Sequence, residues 1–309
     1  MTPKTISFAW VSIAVIATFY MTPLAHAERQ AWNLEVEAGL RYDSNVAVDE
    51  TDLTTSIGDI AATLAIDSGF KLIDEENSRV EVGYDFTQSL YQDLSNLNYQ
   101  THNPELNTWT KIGGVKLGLN YSYTNALLDD AFFVEQHSIA PSISGYLSEM
   151  LQMTLNYRFT DKNFNRLEGG RDAQVQQPNV EFMYYFDKPN RGYVSFSGGY
   201  VIEDAADAEF DYKGPTGRAS VQIPVELGGL DGRVRFSYMY QIRDYDDVTS
   251  TPSGVLREDD RHTLRARGEL DITGDLTAIA DYRFVDRNSN LTTADYTESI
   301  ASGALRYDF

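Results

Sequence analysis

The feature that most constrains the fold is a two-residue alternation of apolar and polar side chains over segments of about ten residues. In "LQMTLNYRFT", residues 151–160, Leu, Met, Leu, Tyr and Phe alternate with Gln, Thr, Asn, Arg and Thr. "VKLGLNYSYT" at 115–124 and "RVRFSYMYQI" at 233–242 repeat the pattern. Because successive side chains of a strand point to opposite faces, these segments predict long β-strands with one apolar face. Helical three-four spacing is hard to find in the chain.

Strand length and aromatic placement favour a membrane β-barrel over a soluble sandwich, which would also alternate. A tilted strand needs about nine to eleven residues to cross a bilayer, and the alternating segments are that long. Aromatic residues gather near the strand ends, as in the girdles that barrels place at the lipid–water boundary. These residues are Tyr42, Tyr84, Phe86, Tyr157, Phe159, Tyr184, Phe186, Tyr282 and Phe284.

The connections alternate between short turns and long loops, as they do in outer-membrane barrels. Short turns fall at 74–77, 113–114, 148–149, 188–191, 227–232 and 273–275, and long loops centre on 47–56, 92–98, 128–134, 162–171, 204–210, 246–259 and 289–295. We predict an all-β, antiparallel, up-and-down transmembrane barrel of about fourteen strands, with twelve or sixteen as alternatives. The strands are 32–46, 57–71, 79–91, 98–111, 115–127, 134–147, 150–161, 172–187, 192–203, 211–226, 233–245, 261–272, 276–288 and 296–309. The even number places both mature ends on the periplasmic side.

The first residues predict a cleaved export signal for the general secretory route. Lys4 supplies a positive charge, residues 6–20 are apolar, and an A-x-A frame follows at 25–27. A membrane-anchoring helix is the alternative, but the apolar run is shorter than the ~20 residues such a helix needs. The predicted organisation is a signal peptide at 1–27 and an outer-membrane β-barrel at 28–309, with no visible linker or second domain.

Charge and cysteine content narrow the partners and the chemistry. The chain has 46 acidic against 25 basic residues, a formal net charge of -21, and no cysteine. An acidic chain repels phosphate backbones, so we expect no nucleic-acid partner. Disulfides, thiol catalysis, cysteine-ligated metals and a lipoprotein anchor are excluded. We expect no cofactor. The expected partners are outer-membrane lipid and lipopolysaccharide, to which divalent ions could bridge the acidic surface.

Histidine is scarce, which argues against catalysis. The chain has His26, His102, His137 and His262, and the first leaves with the signal. His137 and Ser138 are adjacent on a strand, so their side chains point to opposite faces and cannot form a base–nucleophile pair. We expect no enzymatic activity, and an outer-membrane enzyme is a remote alternative.

One acidic loop has two interpretations. Its carboxylates are Asp244, Asp246, Asp247, Glu258, Asp259 and Asp260. Such a density of oxygen ligands could hold calcium, although the spacing fits no EF-hand or nonapeptide pattern. A solvated loop that keeps barrels apart by charge repulsion is the favoured interpretation.

The inward face of the predicted barrel carries charges of both signs. A charged side chain facing lipid at mid-depth would cost about 2–4 kcal/mol for Arg or Lys, so these residues must face water or one another. The lumen-facing candidates are Arg41, Glu81, Asp85, Arg158, Glu181, Arg235, Arg265, Arg267, Glu269, Asp281 and Arg283, and the same register places Glu35, Glu37, Lys116 and Arg306 inside. They predict either a cross-linked, neutral lumen that stabilises the barrel or a hydrated channel of mixed selectivity.

Two local motifs complete the pattern. "YRFTDKNFN" at 157–165 matches "YRFVDRNSN" at 282–290, and shared strand-end chemistry explains the match better than a duplicated functional site. The sequence ends on "SGALRYDF", in which Tyr307 and Phe309 nearly fit the C-terminal strand pattern read by the barrel-assembly machinery. Ala304 stands where that pattern has glycine. We expect Tyr307 and Phe309 to be an insertion signal, with the assembly machinery as a partner.

The chain resembles bacterial outer-membrane barrels and, more narrowly, the barrel half of the surface lipoprotein assembly modifier family. The stretches that carry the resemblance are "GLRYDSNV" at 39–46, residues 80–106, "YRFTDKNFN", "REDDRHTLRARGEL" at 257–270 and residues 290–309. The "YDSN" start is shared with putative porins and exopolysaccharide-associated barrels.

The family resemblance implies a fourteen-strand barrel that helps move proteins or lipoproteins to the cell surface. It implies a surface lipoprotein client or a periplasmic partner. Family members usually carry a periplasmic tetratricopeptide domain before the barrel, and residues 1–309 show no counterpart of it. The residues themselves favour a porin-like channel through the outer membrane of a Gram-negative cell, and the assembly or secretion factor is the alternative.

Overall fold

A computed structural model describes residues 31–48, 51, 53–189, 191–246 and 255–309. The predicted signal peptide at 1–27 lies outside these residues. Among them, no helix is both long and apolar enough to cross a membrane. Short 3-10 turns occur at Ser95–Leu97, Gly169–Arg171 and Ala208–Phe210.

Fourteen antiparallel strands form one closed barrel in which neighbours in sequence are neighbours in space. Strand β1 (Trp32–Asp43) closes the ring by pairing with β16 (Tyr296–Asp308) on one side and β4 (Asp59–Asp74) on the other. The other barrel strands are β5 (Ser78–Tyr91), β6 (Tyr99–Ile112), β7 (Val115–Leu128), β8 (Ala131–Tyr146), β9 (Leu151–Phe164), β10 (Ala173–Asp187), β11 (Gly192–Ala205), β12 (Tyr212–Leu227), β13 (Leu230–Tyr245), β14 (Glu258–Asp271) and β15 (Leu276–Ser289). The predicted fold and strand number are confirmed.

The alternation read from the sequence separates the two faces of the barrel wall. Leu305 and Tyr307 on β16 and Phe309 directly after it are exposed on the outer face, whereas Arg306 points inward and is mostly covered. The backbone N–H of Phe309 donates to the carbonyl oxygen of Leu34, at 2.9 Å, beyond the last ladder pair of β1 and β16. The exterior is therefore an apolar belt, and the charged side chains line the lumen.

The prediction of a long loop at 128–134 is wrong. Strand β7 ends at Leu128 and β8 begins at Ala131, so Asp129 and Asp130 alone form the connection. Both have positive φ, 52° and 60°, which is the left-handed conformation that two-residue hairpin turns require and that Asp tolerates. A register shift opposite Ala126 and Leu127 accommodates the extra strand residues. The predicted turn at 227–232 likewise shortens to Gly228 and Gly229.

Four prolines lie at equal intervals along the chain, on alternate strands and on the outer face: Pro104, Pro141, Pro178 and Pro215. Each pairs with the preceding strand, as Pro178 does with Tyr157. Pairing with the following strand lapses at each proline and at the residue before it. Proline has no N–H to donate to a ladder, which explains the gaps. The equal intervals mark β6–β13 as a series of similar hairpins.

The first long connection folds into the mouth of the barrel. It contains the two-stranded sheet of β2 (Ala47–Val48) and β3 (Leu53–Thr54). We call the described residues between β1 and β4, namely 44–48, 51 and 53–58, the strap. Val48 is buried against Ala126 of β7, Phe133 and Val134 of β8, and Phe164 of β9, together with the partly buried Leu97, Tyr99 and Leu128. The strap therefore starts at β1 and reaches strands almost on the other side of the ring.

Candidate functional site: the charged lumen

One wall of the lumen is basic. Arg218 on β12, Arg235 on β13, and Arg265 and Arg267 on β14 line one cavity of about 250 Å³. Its other lining residues are Glu181, Met183, Tyr193, Ser195, Ser220 and Ser237. Arg235 and Arg267 stand directly opposite each other in the β13–β14 ladder. Four guanidinium groups and a single carboxylate therefore share this cavity.

Another wall is acidic. Asp67 of β4 stands directly opposite Asp85 of β5, and Glu35 of β1 stands opposite Asp67. Amide groups, not cations, are the described side-chain donors to Asp67 and Asp85. The Nδ2 of Asn103 donates to Asp85 at 2.9 Å, and the Nδ2 of Asn33 donates to Asp67 at 3.3 Å.

Glu105 of β6 extends the acidic wall by one strand. Its carboxylate accepts from the Nδ2 of Asn107 at 2.6 Å and from the Nδ2 of Asn120 at 3.3 Å. Because amide donors carry no charge, they leave the negative charge of the wall uncompensated.

The acidic and basic walls face each other. In the ring of fourteen strands β5 and β12 are seven strands apart in either direction, and so are β6 and β13. Asp85 and Arg218 both lie near the middle of their strands. Opposite charges on facing walls of a low-dielectric tube create a transverse field and attract ions of both signs to the walls. This segregation distinguishes the lumen from one in which every charge is cross-linked.

A neighbouring part of the wall is cross-linked, as one sequence interpretation anticipated. Arg267 lies 2.7 Å from Glu269, 3.3 Å from Glu37 and 3.8 Å from Asp281. Arg265 lies 2.8 Å from Asp281. Because these pairs join β14 to β15 and β1, they tie the barrel across its closure.

Two more arginines extend this network. Arg233 pairs with Glu269. Arg306 lies 3.6 Å from Glu35, 3.6 Å from Glu269 and 3.4 Å from Asp308. The lumen therefore combines a cross-linked sector with a sector of open charges.

The remaining predicted lumen residues occupy inward register positions with different surroundings. The Nη2 of Arg41 donates to the Tyr91 hydroxyl at 2.8 Å. Arg283 pairs with Glu298 at 3.4 Å. Arg158 is exposed on β9, and Glu81 on β5 stands opposite Asn107.

Sequence reasoning missed Arg218, Asp67 and Glu105. On β12, Gly217 and Ala219 flank Arg218. On β4, Ser68 and Gly69 follow Asp67. Arg218 has no large apolar residue beside it and Asp67 has one on one side only, Ile66, so the local alternation around both is weak. Counting strictly by twos from Val221 or Ile66 would have placed Arg218 and Asp67 inside.

The strap narrows the mouth of the lumen and leaves two polar cavities there. One, of about 170 Å³, lies between the strap and β1, β5, β15 and β16. The other, of about 320 Å³, is lined by β8, β9 and β11–β14 on the far side of the apolar cluster. The Nη2 of Arg171 donates to the carbonyl oxygen of Thr51 at 3.0 Å and so ties the strap to the β9–β10 connection.

The repeated motif supplies two inward cations from each copy, Arg158 and Lys162 in one and Arg283 and Arg287 in the other. Lys162 lies 3.1 Å from Glu203, and Arg287 lies 2.5 Å from Asp259. Both tyrosines of the motif are on the outer face, where Tyr157 bonds Gln176 at 2.9 Å and Tyr282 lies 3.2 Å from the Ser299 hydroxyl. The two copies therefore share strand-end chemistry, which supports the simpler interpretation of the repeat.

The three remaining histidines lie on the outer face beside tyrosines. The Nδ1 atoms of His102, His137 and His262 lie 2.6, 3.0 and 2.8 Å from the hydroxyls of Tyr84, Tyr121 and Tyr238. Each ring also contacts the aromatic residue opposite it, Phe86, Tyr123 or Tyr240. Their geometry is that of an aromatic belt, and it brings no serine hydroxyl to a histidine in the described hydrogen bonds.

Several carboxylates of the acidic loop pair with side chains of the chain itself. Asp259 is buried between Arg257, at 2.7 Å, and Arg287, and Asp246 lies 2.9 Å from Lys213. Asp260 accepts from the Tyr240 hydroxyl at 2.6 Å. Asp247 lies outside the described residues, and within them no group of three or more acidic or histidine side chains is placed to hold a metal ion.

Comparison with known proteins identifies the fold. No protein-family model and no curated protein matches this chain. Among solved structures, the anion-selective porin of Comamonas acidovorans matches with a TM-score of 0.52 and 10% identity, covering 90% of this chain and 98% of the porin. OmpF of Salmonella typhi matches with a TM-score of 0.50 and 10% identity, covering 90% and 97%.

A third structure, CdiB of Acinetobacter baumannii, matches with a TM-score of 0.51 and 9% identity, covering 91% of this chain and 60% of that one. At such identities the similarity concerns the closed antiparallel barrel. The class defined by fold and lumen is a porin-like β-barrel with a charged interior.

Proposed function

We propose that the protein is an outer-membrane channel that passes small hydrophilic solutes through a charged lumen. The observation that carries this proposal is the opposition of the acidic wall, Asp67, Asp85 and Glu105, to the basic wall around Arg218 and Arg235. Open charges of both signs are stable in a membrane barrel only if water fills the space between them. The apolar exterior and the porin-like fold support the same location.

The route to the membrane belongs to the same proposal. Export by the general secretory route, insertion by the barrel-assembly machinery through β16, and contact with lipopolysaccharide follow from the sequence features at 1–27 and 302–309. Residues of the lumen act on solutes by attraction and not by bond chemistry, so we propose a channel without enzymatic activity.

Conductance of the refolded barrel in a planar lipid bilayer tests the channel. We expect discrete current steps of constant size that persist at low voltage. An electrically silent barrel would overturn the proposal. If deletion of its gene then removed a lipoprotein from the cell surface, the assembly role implied by the sequence resemblance would replace it.

A further inference from the structure

The basic cavity of β11–β14 has an ordered set of hydrogen-bond donors. Ser195 of β11 stands opposite Ser220 of β12, Ser220 stands opposite Ser237 of β13, and Ser237 stands opposite Arg265 of β14. All four line the cavity. Three hydroxyls and a guanidinium therefore form one continuous row across four strands.

Guanidinium groups flank this row on both sides. Arg218 lies two residues before Ser220, and Arg235 lies two residues before Ser237, so both share the inward face with the serines. Arg267 stands opposite Arg235. A small molecule in this cavity would meet donors from at least three strands.

The charge in the cavity is only partly compensated. Arg265 and Arg267 have carboxylate partners in the cross-linked sector. In contrast, the described side-chain hydrogen bonds of Arg235 go to the neutral Oε1 of Gln222, at 3.1 and 2.6 Å, and its guanidinium lies 5.8 Å from the centre of the Tyr193 ring. Arg218 donates to the Met239 sulfur at 3.4 Å.

Arg235 and Arg267 stand directly opposite each other in the ladder. Like charges in this position destabilise a sheet. The cavity therefore favours an anion that accepts several hydrogen bonds. Guanidinium forks and hydroxyls are the donors that bind phosphate-like groups best.

We propose that this cavity binds a doubly charged tetrahedral oxyanion, phosphate or sulfate, either free or as the charged group of a small solute. Arg218 and Arg235 supply the charge, Ser195, Ser220 and Ser237 supply neutral donors, and Glu181 limits how far the charge extends. The inference deepens the proposed function, because it names a solute class that the lumen would hold in transit.

Calorimetric titration of the detergent-refolded barrel with inorganic phosphate and with sulfate tests the site. We expect saturable binding of phosphate and sulfate at low ionic strength. The affinity for chloride should be lower by about ten-fold or more. The double variant Arg218→Gln/Arg235→Gln should lose affinity by about ten-fold or more. Arg158→Gln, which removes an exposed inward arginine on β9 outside the cavity, should leave affinity unchanged.

Heat-modifiable migration on a gel verifies that each variant is folded. If the Gln pair does not fold, Arg218→Lys/Arg235→Lys keeps the charge but removes the planar fork, and its affinity should fall by a smaller factor. Equal affinity of wild type and folded double variant, or equal binding of chloride and phosphate, would overturn the site. Because binding is measured without current, phosphate binding by a silent barrel would reject the channel and keep the site. Current steps without phosphate binding would keep the channel and reject the site.

Discussion

Arg267 shows how single residues hold the barrel closed. Its guanidinium contacts Glu269 on its own strand, Asp281 on β15 and Glu37 on β1, and its side chain is 22% exposed. These contacts cross the seam where the last strands meet the first. The residue therefore contributes to stability, whereas Arg218 and Arg235 leave their charge available to solutes.

The substitution Arg267→Gln should destabilise the barrel by about 1–3 kcal/mol, because the partly covered carboxylate of Glu37 loses its described cation and those of Glu269 and Asp281 each lose one of theirs. Urea-induced unfolding in lipid vesicles, followed by tryptophan fluorescence, measures the change. Arg158→Gln is the matched control, since Arg158 is inward-facing and exposed. Equal unfolding midpoints for the two variants would show that the network around Arg267 does not stabilise the closure.

At the level of elements, the strap lies across the mouth of the lumen. Val48 inserts its side chain into the apolar cluster of β7–β9, and Arg171 bonds the strap further along. The substitution Val48→Asp would bury a carboxylate among apolar side chains, which is unfavourable by several kcal/mol unless the side chain leaves. We expect the strap to detach and the single-channel conductance to rise.

Leu167→Asp is the control for the strap, because Leu167 is 93% exposed in the β9–β10 connection. A variant Val48→Asp with wild-type conductance and an intact fold would mean that the strap does not limit the current.

We propose that the end of strand β16 is the signal for insertion into the outer membrane. Phe309 is outward-facing, and its ring packs 4.7 Å from that of Tyr307. Phe309→Ala should reduce the amount of heat-modifiable barrel in outer-membrane fractions, because recognition of the last strand loses its terminal aromatic residue. Leu227→Ala, at an exposed strand end of β12, should have no such effect. Normal outer-membrane levels of the Phe309 variant would contradict the prediction.

An element could be predicted from the sequence when residues adjacent in the chain determine its structure. Period-two alternation, together with the turns and loops between the alternating segments, located the fourteen barrel strands, because each side chain's face depends only on its neighbours in the strand. The two-aspartate turn after β7 was missed, since Asp129 and Asp130 look like the start of a solvated loop. The strap was missed because Val48 packs against residues of β7, β8 and β9 that are distant in sequence.

At the scale of the whole molecule, the arrangement of charges in the lumen was only partly predictable, because it depends on residues that are distant in sequence. Sequence reasoning placed charges such as Arg235, Asp281 and Glu181 inside, but which of them pair depends on the closure of the ring. The separation into facing walls appears only when β5 and β12 are placed opposite each other. Cross-linked charges and open charges, which the two sequence interpretations gave as alternatives, occupy different sectors of one barrel.

We propose that facing walls of opposite charge line an open lumen, and the ion selectivity of the current reports on these walls. Reversal potentials are measured across planar bilayers in a potassium chloride gradient for the wild type and for Arg218→Glu/Arg235→Glu. We predict current steps in both proteins and a shift of the variant towards cation permeation, because the basic wall becomes acidic. Silent bilayers with correctly folded protein, or identical reversal potentials for the two proteins, would contradict the claim.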